Sequence, residues 1–164
     1  MASTIKNLSD HSNKNLINIA HKKFAIVVSE WNEQVTESLY NGVVETLKEH
    51  GAREENIISE TVPGSYELSL GAQWMAQQPE IDAVICLGCV IQGETKHFDF
   101  ICNAVAHGLT RVSLDFNKPV IFGVLTPNTL QQALDRAGGK HGNKGDEAAI
   151  TAIKMLGMQQ KIRQ

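Results

Sequence analysis

Apolar residues recur along this chain in two rhythms, one of continuous short runs and one of every third or fourth position. Four runs are predicted as buried strands: "KFAIVVSE" (23–30), "NIISETVP" (56–63), "DAVICLGCVI" (82–91) and "PVIFGVLTP" (119–127). Each is short, rich in β-branched residues and bounded by turn formers. The segments between them carry a helical period. Val35, Leu39, Val43 and Leu47 mark a helix over 33–50 that Gly51 stops. Leu68, Ala72 and Met75 make a similar stripe in 66–78, and Ile101, Val105, Leu109 and Val112 do so in 97–115. Thr126-Pro127 reads as a cap and first turn for a helix through Arg136. "GGKHGNKG" (138–145) interrupts, and a last helix is expected from about Asp146 to Met158.

One strand per helix, with strands apolar on both faces, implies an α/β fold. A parallel sheet is covered by helices on its two sides and joined by right-handed crossovers. The expected organisation is a polar, flexible arm over residues 1–22 followed by one domain over 23–160.

Composition narrows the function classes. The chain has 164 residues, 42% hydrophobic and 20% charged, with a net charge of −3 and both signs scattered. No broad basic field is present for nucleic acid. No run is long enough to cross a membrane, and "MASTIKNLSDHSNKNLINIAHK" lacks the apolar centre of a signal peptide. A cytoplasmic location is expected. Cys86, Cys89 and Cys102 give an odd count and no disulfide framework. Cys86 and Cys89 do form C-x-x-C, but inside a strand the two sulfurs diverge to opposite faces. Zinc would need further ligands at suitable spacing. Buried small hydrophobes are the better reading of the pair.

In open α/β sheets ligands gather outside the carboxyl ends of the strands. The first predicted strand leaves through Ser29-Glu30-Trp31-Asn32 and the second through Pro63-Gly64-Ser65-Tyr66-Glu67. The third leaves through "GCVIQGETKHFDF", residues 88–100. Trp31 offers a face for stacking on a planar ring, although a lone tryptophan is more often a partly buried core aromatic. Glu67 can accept hydrogen bonds from a hydroxylated ligand, or simply sit in a helix's first turn, where the dipole favours it. Backbone N–H groups around Glu94 and Thr95, at the start of a helix near His97, suit a phosphate. His97 supplies an imidazole beside that pocket, the side-chain type suited to donate or accept a proton as general acid or base. Arg136, Lys140 and Lys144 bracket the glycine-rich loop, either complementing helix dipoles or supplying countercharge for a phosphate. No G-x-G-x-x-G or G-K-[ST] is present, so nucleotide binding has no support.

Five segments together carry a resemblance: "SEWNE", "VPGSYEL", "LGCVIQGETKHFDF", "PVIFGVLT" and "RAGGKHGNKG". In this order, and over residues 23 to 158, the chain resembles the 6,7-dimethyl-8-ribityllumazine synthases of riboflavin biosynthesis. That resemblance implies a flavodoxin-like three-layer sandwich with a four-stranded parallel sheet. It implies a transferase that condenses 5-amino-6-(D-ribitylamino)uracil with L-3,4-dihydroxy-2-butanone 4-phosphate, releasing phosphate and water. Neither a metal nor an organic cofactor is expected.

Carried over by motif, His97 matches the proton donor. Trp31 matches the aromatic on the pyrimidine ring, and Ser65, Tyr66 and Glu67 match the holders of the ribityl-uracil. Cys89, Val90 and Ile91 resemble the strand-end residues lining the pyrimidine pocket. Glu94 and Thr95 match the phosphate-binding amides. The resemblance implies that Phe122 and Arg136 come from a neighbouring subunit, Arg136 contacting phosphate, with Lys144 near the same pocket. Two positions depart from the family pattern: Gln92 stands where many relatives carry Arg or Lys, and Glu94 where many carry a small residue. Phosphate affinity is what those departures affect.

The family assembles as pentamers, and "GGKHGNKG" lacks the insertion of the pentamer-only members. A sixty-subunit shell is therefore expected, with riboflavin synthase as a candidate cargo and no nucleic-acid or membrane partner. Two rivals carry less of the pattern: the related pentameric riboflavin synthases, and a non-catalytic flavin-binding shell protein, which has no use for His97 or Arg136.

Overall fold

The computed structural model describes residues 16–163. Its elements run β1 (Phe24–Ser29), α1 (Glu33–Glu49), β2 (Ile57–Val62), α2 (Leu68–Ala76) and β3 (Ala83–Cys89), then α3 (His97–Phe116), β4 (Val120–Leu125) and α4 (Leu130–Leu134). A small ribbon, β5 (Ala137–Gly139) and β6 (Gly142–Asn143), precedes α5 (Lys144–Ile162). The main sheet is parallel throughout, in the order β2-β1-β3-β4. Helices cover both of its faces, which is the three-layer α/β sandwich expected from the alternation of elements.

Strand alternation builds two cores, one on each face. Phe24, Ile26, Ile85 and Leu87 point to one face, where they meet Leu39, Val43 and Leu47 of α1 and Ile150 and Ile153 of α5. Ala25, Val27, Val84 and Cys86 point to the other, against Leu68 and Ala72 of α2 and Val105 and Leu109 of α3. A fully buried Leu or Ile on either face is worth about 1.5–3 kcal/mol. Cys86 and Cys89 lie in different cores, so their sulfurs diverge as the strand periodicity requires. Burial pushes the Cys86 thiol's pKa upward, and that of Cys89 up to about 11.

Several sequence expectations are corrected. The arm expected over 1–22 lies outside the described residues up to residue 15. Its remainder packs: Ile19 is fully buried, with Leu16 and Ile17 against the same core. The packed chain therefore begins by Leu16 rather than at residue 23. β2 is an edge strand whose positions 58–61 are exposed, not a buried strand.

The helix expected from Thr126-Pro127 is a short one instead, Leu130–Leu134. Residues 125–127 continue alongside 90–92, with Val90 N–H donating to Leu125 O at 2.8 Å and Gln92 N–H to Pro127 O at 2.9 Å. That pairing holds the backbone extended, and the cap moves on to Thr129, whose Oγ1 accepts from Gln132 N–H at 3.2 Å. The glycine-rich loop folds into the β5–β6 ribbon, and Asn143 caps α5, which starts at Lys144, two residues earlier than the expected Asp146. Among the described residues no helix is long and apolar enough to cross a membrane.

Candidate functional site

β1 and β3 are adjacent and parallel, so what leaves their carboxyl ends shares one rim. Leaving β1, Glu30 N–H donates to Val62 O at 2.9 Å and Trp31 N–H to Pro63 O at 3.4 Å. The first two exit loops thus travel together. Asn32 then turns the chain with φ +62°, a left-handed conformation that asparagine tolerates better than most residues. Its side-chain amide donates to Cys89 O at 2.8 Å, tying the β1 exit to the end of β3. Sequence reading passed over Asn32; its place directly after Trp31, at the start of a helix, is the signal that marks it.

Trp31 is 73% exposed and presents its indole on this rim. Gly64 lies beside it. A Cβ at Gly64 would stand 3.4 Å from Trp31 Cδ1 and 3.1 Å from Glu67 Oε2, so indole and carboxylate flank one bare stretch of backbone. Ser65–Glu67 forms a single 3₁₀ turn, with Glu67 N–H donating to Gly64 O at 3.2 Å, and it packs against α3. Tyr66 and Glu67 face outward, whereas the Ser65 hydroxyl is buried and directed at Gly88. A ligand on this rim would meet the backbone of Ser65, not its hydroxyl. Cys89 is likewise buried, its thiol in the α1/α5 core, so only its backbone faces the rim region. Val90 and Ile91 are half-buried beyond it.

The loop 93–96 and His97 at the start of α3 are exposed. His97 N–H reaches Thr95 Oγ1 at 3.4 Å. Among the described residues no acceptor takes the N–H groups of Glu94, Thr95 or Lys96. Such amides, at the positive end of a twenty-residue helix, suit an anion. The Gln92 side chain folds onto its own loop, donating to Gly93 O at 2.8 Å.

Phe122, Arg136 and Lys144 lie elsewhere. They line a cavity of about 770 Å³ along the open edge formed by β4, together with Gln132, Glu147 and Thr151. Trp31, Glu67, Thr95 and His97 do not line it. Phe122 pairs in register with Cys86, well before the carboxyl end of β3. Arg136 is half-buried and spends one nitrogen, Nη1, on Gln132 O at 2.9 Å. Lys144 pairs with Glu147, and Lys140 with Asp135 at 3.0 Å. Hydrogen bonding from Gln131, then Lys140, holds the Asp135 carboxyl below its ordinary pKa. One chain therefore gathers an aromatic, a carboxylate, free amides and a histidine on its rim, and displays a second aromatic with two cations on a separate edge.

Comparison with known proteins matches the chain's sequence to one family. The model of the 6,7-dimethyl-8-ribityllumazine synthase family matches residues 21–160. A 6,7-dimethyl-8-ribityllumazine synthase of Cytophaga hutchinsonii is 65% identical over 156 residues, covering 95% of this chain and 98% of the relative. Proteins of the same name from Bacteroides fragilis and Phocaeicola vulgatus are also similar. The first is 58% identical over 82% of this chain and 94% of its own length, and the second 48% identical over 99% and 97%. With a family match over nearly all the described residues and relatives this similar along their whole length, the chain belongs to the 6,7-dimethyl-8-ribityllumazine synthase family.

Proposed function

We propose that this chain condenses 5-amino-6-(D-ribitylamino)uracil with L-3,4-dihydroxy-2-butanone 4-phosphate, yielding 6,7-dimethyl-8-ribityllumazine with release of phosphate and water. The observation that carries this reading is the Trp31–Gly64–Glu67 cleft at the same strand-end rim as the unpaired amides that precede His97. The indole takes the flat pyrimidine. Glu67 accepts from ribityl hydroxyls, the Tyr66 ring flanks the ligand, and the backbones of Ser65 and of Cys89–Ile91 border the heterocycle.

The reaction is redox-neutral. The 5-amino group attacks the ketone carbonyl and loses water to give an imine, phosphate leaves by elimination, and the ribitylamino nitrogen adds to the carbonyl so generated and loses a second water as the new ring closes. Each step moves a proton, and His97 relays it. Holding the two reactants in contact supplies much of the remaining acceleration. The amides of Glu94 and Thr95 seat the phosphate through backbone, which leaves the Glu94 carboxylate free to point to solvent.

Phosphate also needs a fixed cation, and Arg136, whose planar fork fits it, sits on the other edge of the same chain. We therefore read the site as shared: Phe122, Arg136 and the supporting Lys144 complete the rim of an adjoining subunit. A ring of five chains, and a sixty-subunit shell built from such rings, provides that geometry; riboflavin synthase is a candidate cargo. Three free cysteines suit a reducing, cytoplasmic setting.

Mixing purified protein with both substrates tests the reading. Lumazine fluorescence and free phosphate should rise in equal amounts. Phosphate release without lumazine, or consumption of added lumazine with no need for the phosphosugar, would overturn it, the latter in favour of a riboflavin synthase.

A further inference from the structure

Polarity rises toward the carboxyl rim on the face of the sheet that α2 and α3 cover. Along β1 that face reads Ala25, Val27, Ser29, and along β3 it reads Val84, Cys86, Gly88. Ser29 is fully buried, and Ser65, opening the turn above it, is 6% exposed. Neither hydroxyl has a hydrogen-bond partner among the described residues. Both stand over the same bare backbone: a Cβ on Gly88 would lie 2.6 Å from Ser65 Oγ and 3.3 Å from Ser29 Oγ. Buried hydroxyls left unmade are costly and rare. Each serine can both donate and accept, so a change of rotamer or one bridging water joins the two across Gly88.

We infer that Ser29 is a positioning residue for the reaction, acting through Ser65. The Ser29–Ser65 link fastens the Ser65–Glu67 turn to β1, the strand whose exit carries Trp31 two residues later. It thereby fixes the spacing between the indole and the Glu67 carboxylate, the two walls of the ribityl-uracil cleft. Ser29 itself touches no substrate. The inference rests on the proposed role of that turn in holding the ribityl-uracil.

Steady-state kinetics of Ser29→Ala, Ser65→Ala and the double variant test it, with Glu67→Gln run beside them. Each single serine variant should raise the KM for ribitylaminouracil about fivefold, and the double variant no more than either, because residues in one network do not add. The KM for the phosphosugar and kcat should stay within about twofold, the scatter expected of changes that do not touch them. Additive losses, or an unchanged KM in both single variants, would overturn the inference. Idle hydroxyls would behave in the second way, and their removal would raise thermal stability. If Glu67→Gln raises the same KM while the serine variants do not, the reading of the turn stands and the inference alone fails. If Glu67→Gln leaves that KM unchanged, the reading of the turn fails and the inference falls with it.

Discussion

Trp31 and Glu67 both close on the same glycine, Gly64. Measured from where a Cβ would stand on Gly64, the indole Cδ1 is 3.4 Å away and the carboxylate Oε2 3.1 Å. Two residues separated by the whole length of α1 and β2 thus share one gap, and the gap exists because no side chain fills it.

Gly64→Ala follows directly. The backbone there is extended, with φ −146°, so alanine adds no strain of its own. The added methyl instead occupies the gap, meeting the indole at ordinary contact distance and displacing the flexible Glu67 carboxylate by a few tenths of an ångström. The KM for ribitylaminouracil should rise about tenfold, equivalent to about 1.4 kcal/mol, with melting temperature and phosphosugar KM little changed. A variant with an unchanged KM for that substrate would remove the cleft from the binding site.

Arg136→Ala should act on the other substrate. A guanidinium half-anchored on the Gln132 carbonyl keeps a charged fork free for phosphate. Its loss should raise the KM for the butanone phosphate by about tenfold or more, as expected for a charge-assisted contact. Arg136→Lys should recover only part, since an ammonium lacks the fork. Equal kinetics for the alanine variant and the parent would take Arg136 out of the phosphate site.

Residues near one another in sequence were the legible part of this fold. The stripe Val35, Leu39, Val43 and Leu47 located α1, and the apolar runs located all four strands of the parallel sheet. Contacts between distant segments decided what was not legible. Thr126-Pro127 has the chemistry of a helix start, yet residues 90–92 recruit it as extended backbone. The exposure of β2 follows from its place at the edge, and strand order is not written in any local period. The rim was legible because exits from parallel strands lie at one end. That Phe122, Arg136 and Lys144 sit on a different edge depends on the order β2-β1-β3-β4, which no local period records. Ser29 was invisible for a related reason, since its significance lies in facing Ser65 across Gly88.

Gly145 sets how closely α5 approaches α1. A Cβ at this position would stand 2.0 Å from the carbonyl oxygen of Leu39, so the methyl of alanine meets backbone that cannot swing away. Gly145→Ala should therefore cost about 3 kcal/mol, the upper end for overpacking. That corresponds to a fall in melting temperature of about 6–12 °C for a chain of this size. Differential scanning calorimetry checks it, and a melting temperature within about 2 °C of the parent would mean that the helices separate freely.

Asp135 ties the start of the β5–β6 ribbon to its tip, and its stabilising effect depends on pH. Gln131 donates to its carboxylate at 2.9 Å, Lys140 approaches at 3.0 Å, and both hold its pKa below the ordinary value. A depressed carboxyl favours folding only while ionised. The contribution is thus complete above the ordinary carboxylate pKa of about 3.9 and is lost as pH falls through the lower folded-state value. Asp135→Asn abolishes the charge at every pH. Its melting temperature should lie below that of the parent at pH 6, and the gap should close as both are taken progressively below the ordinary carboxylate pKa. High salt should narrow the gap at pH 6 as well, because Lys140 is exposed and its attraction is screened. A gap that persists unchanged at the lowest pH would show that Asp135 acts through shape and not through its charge.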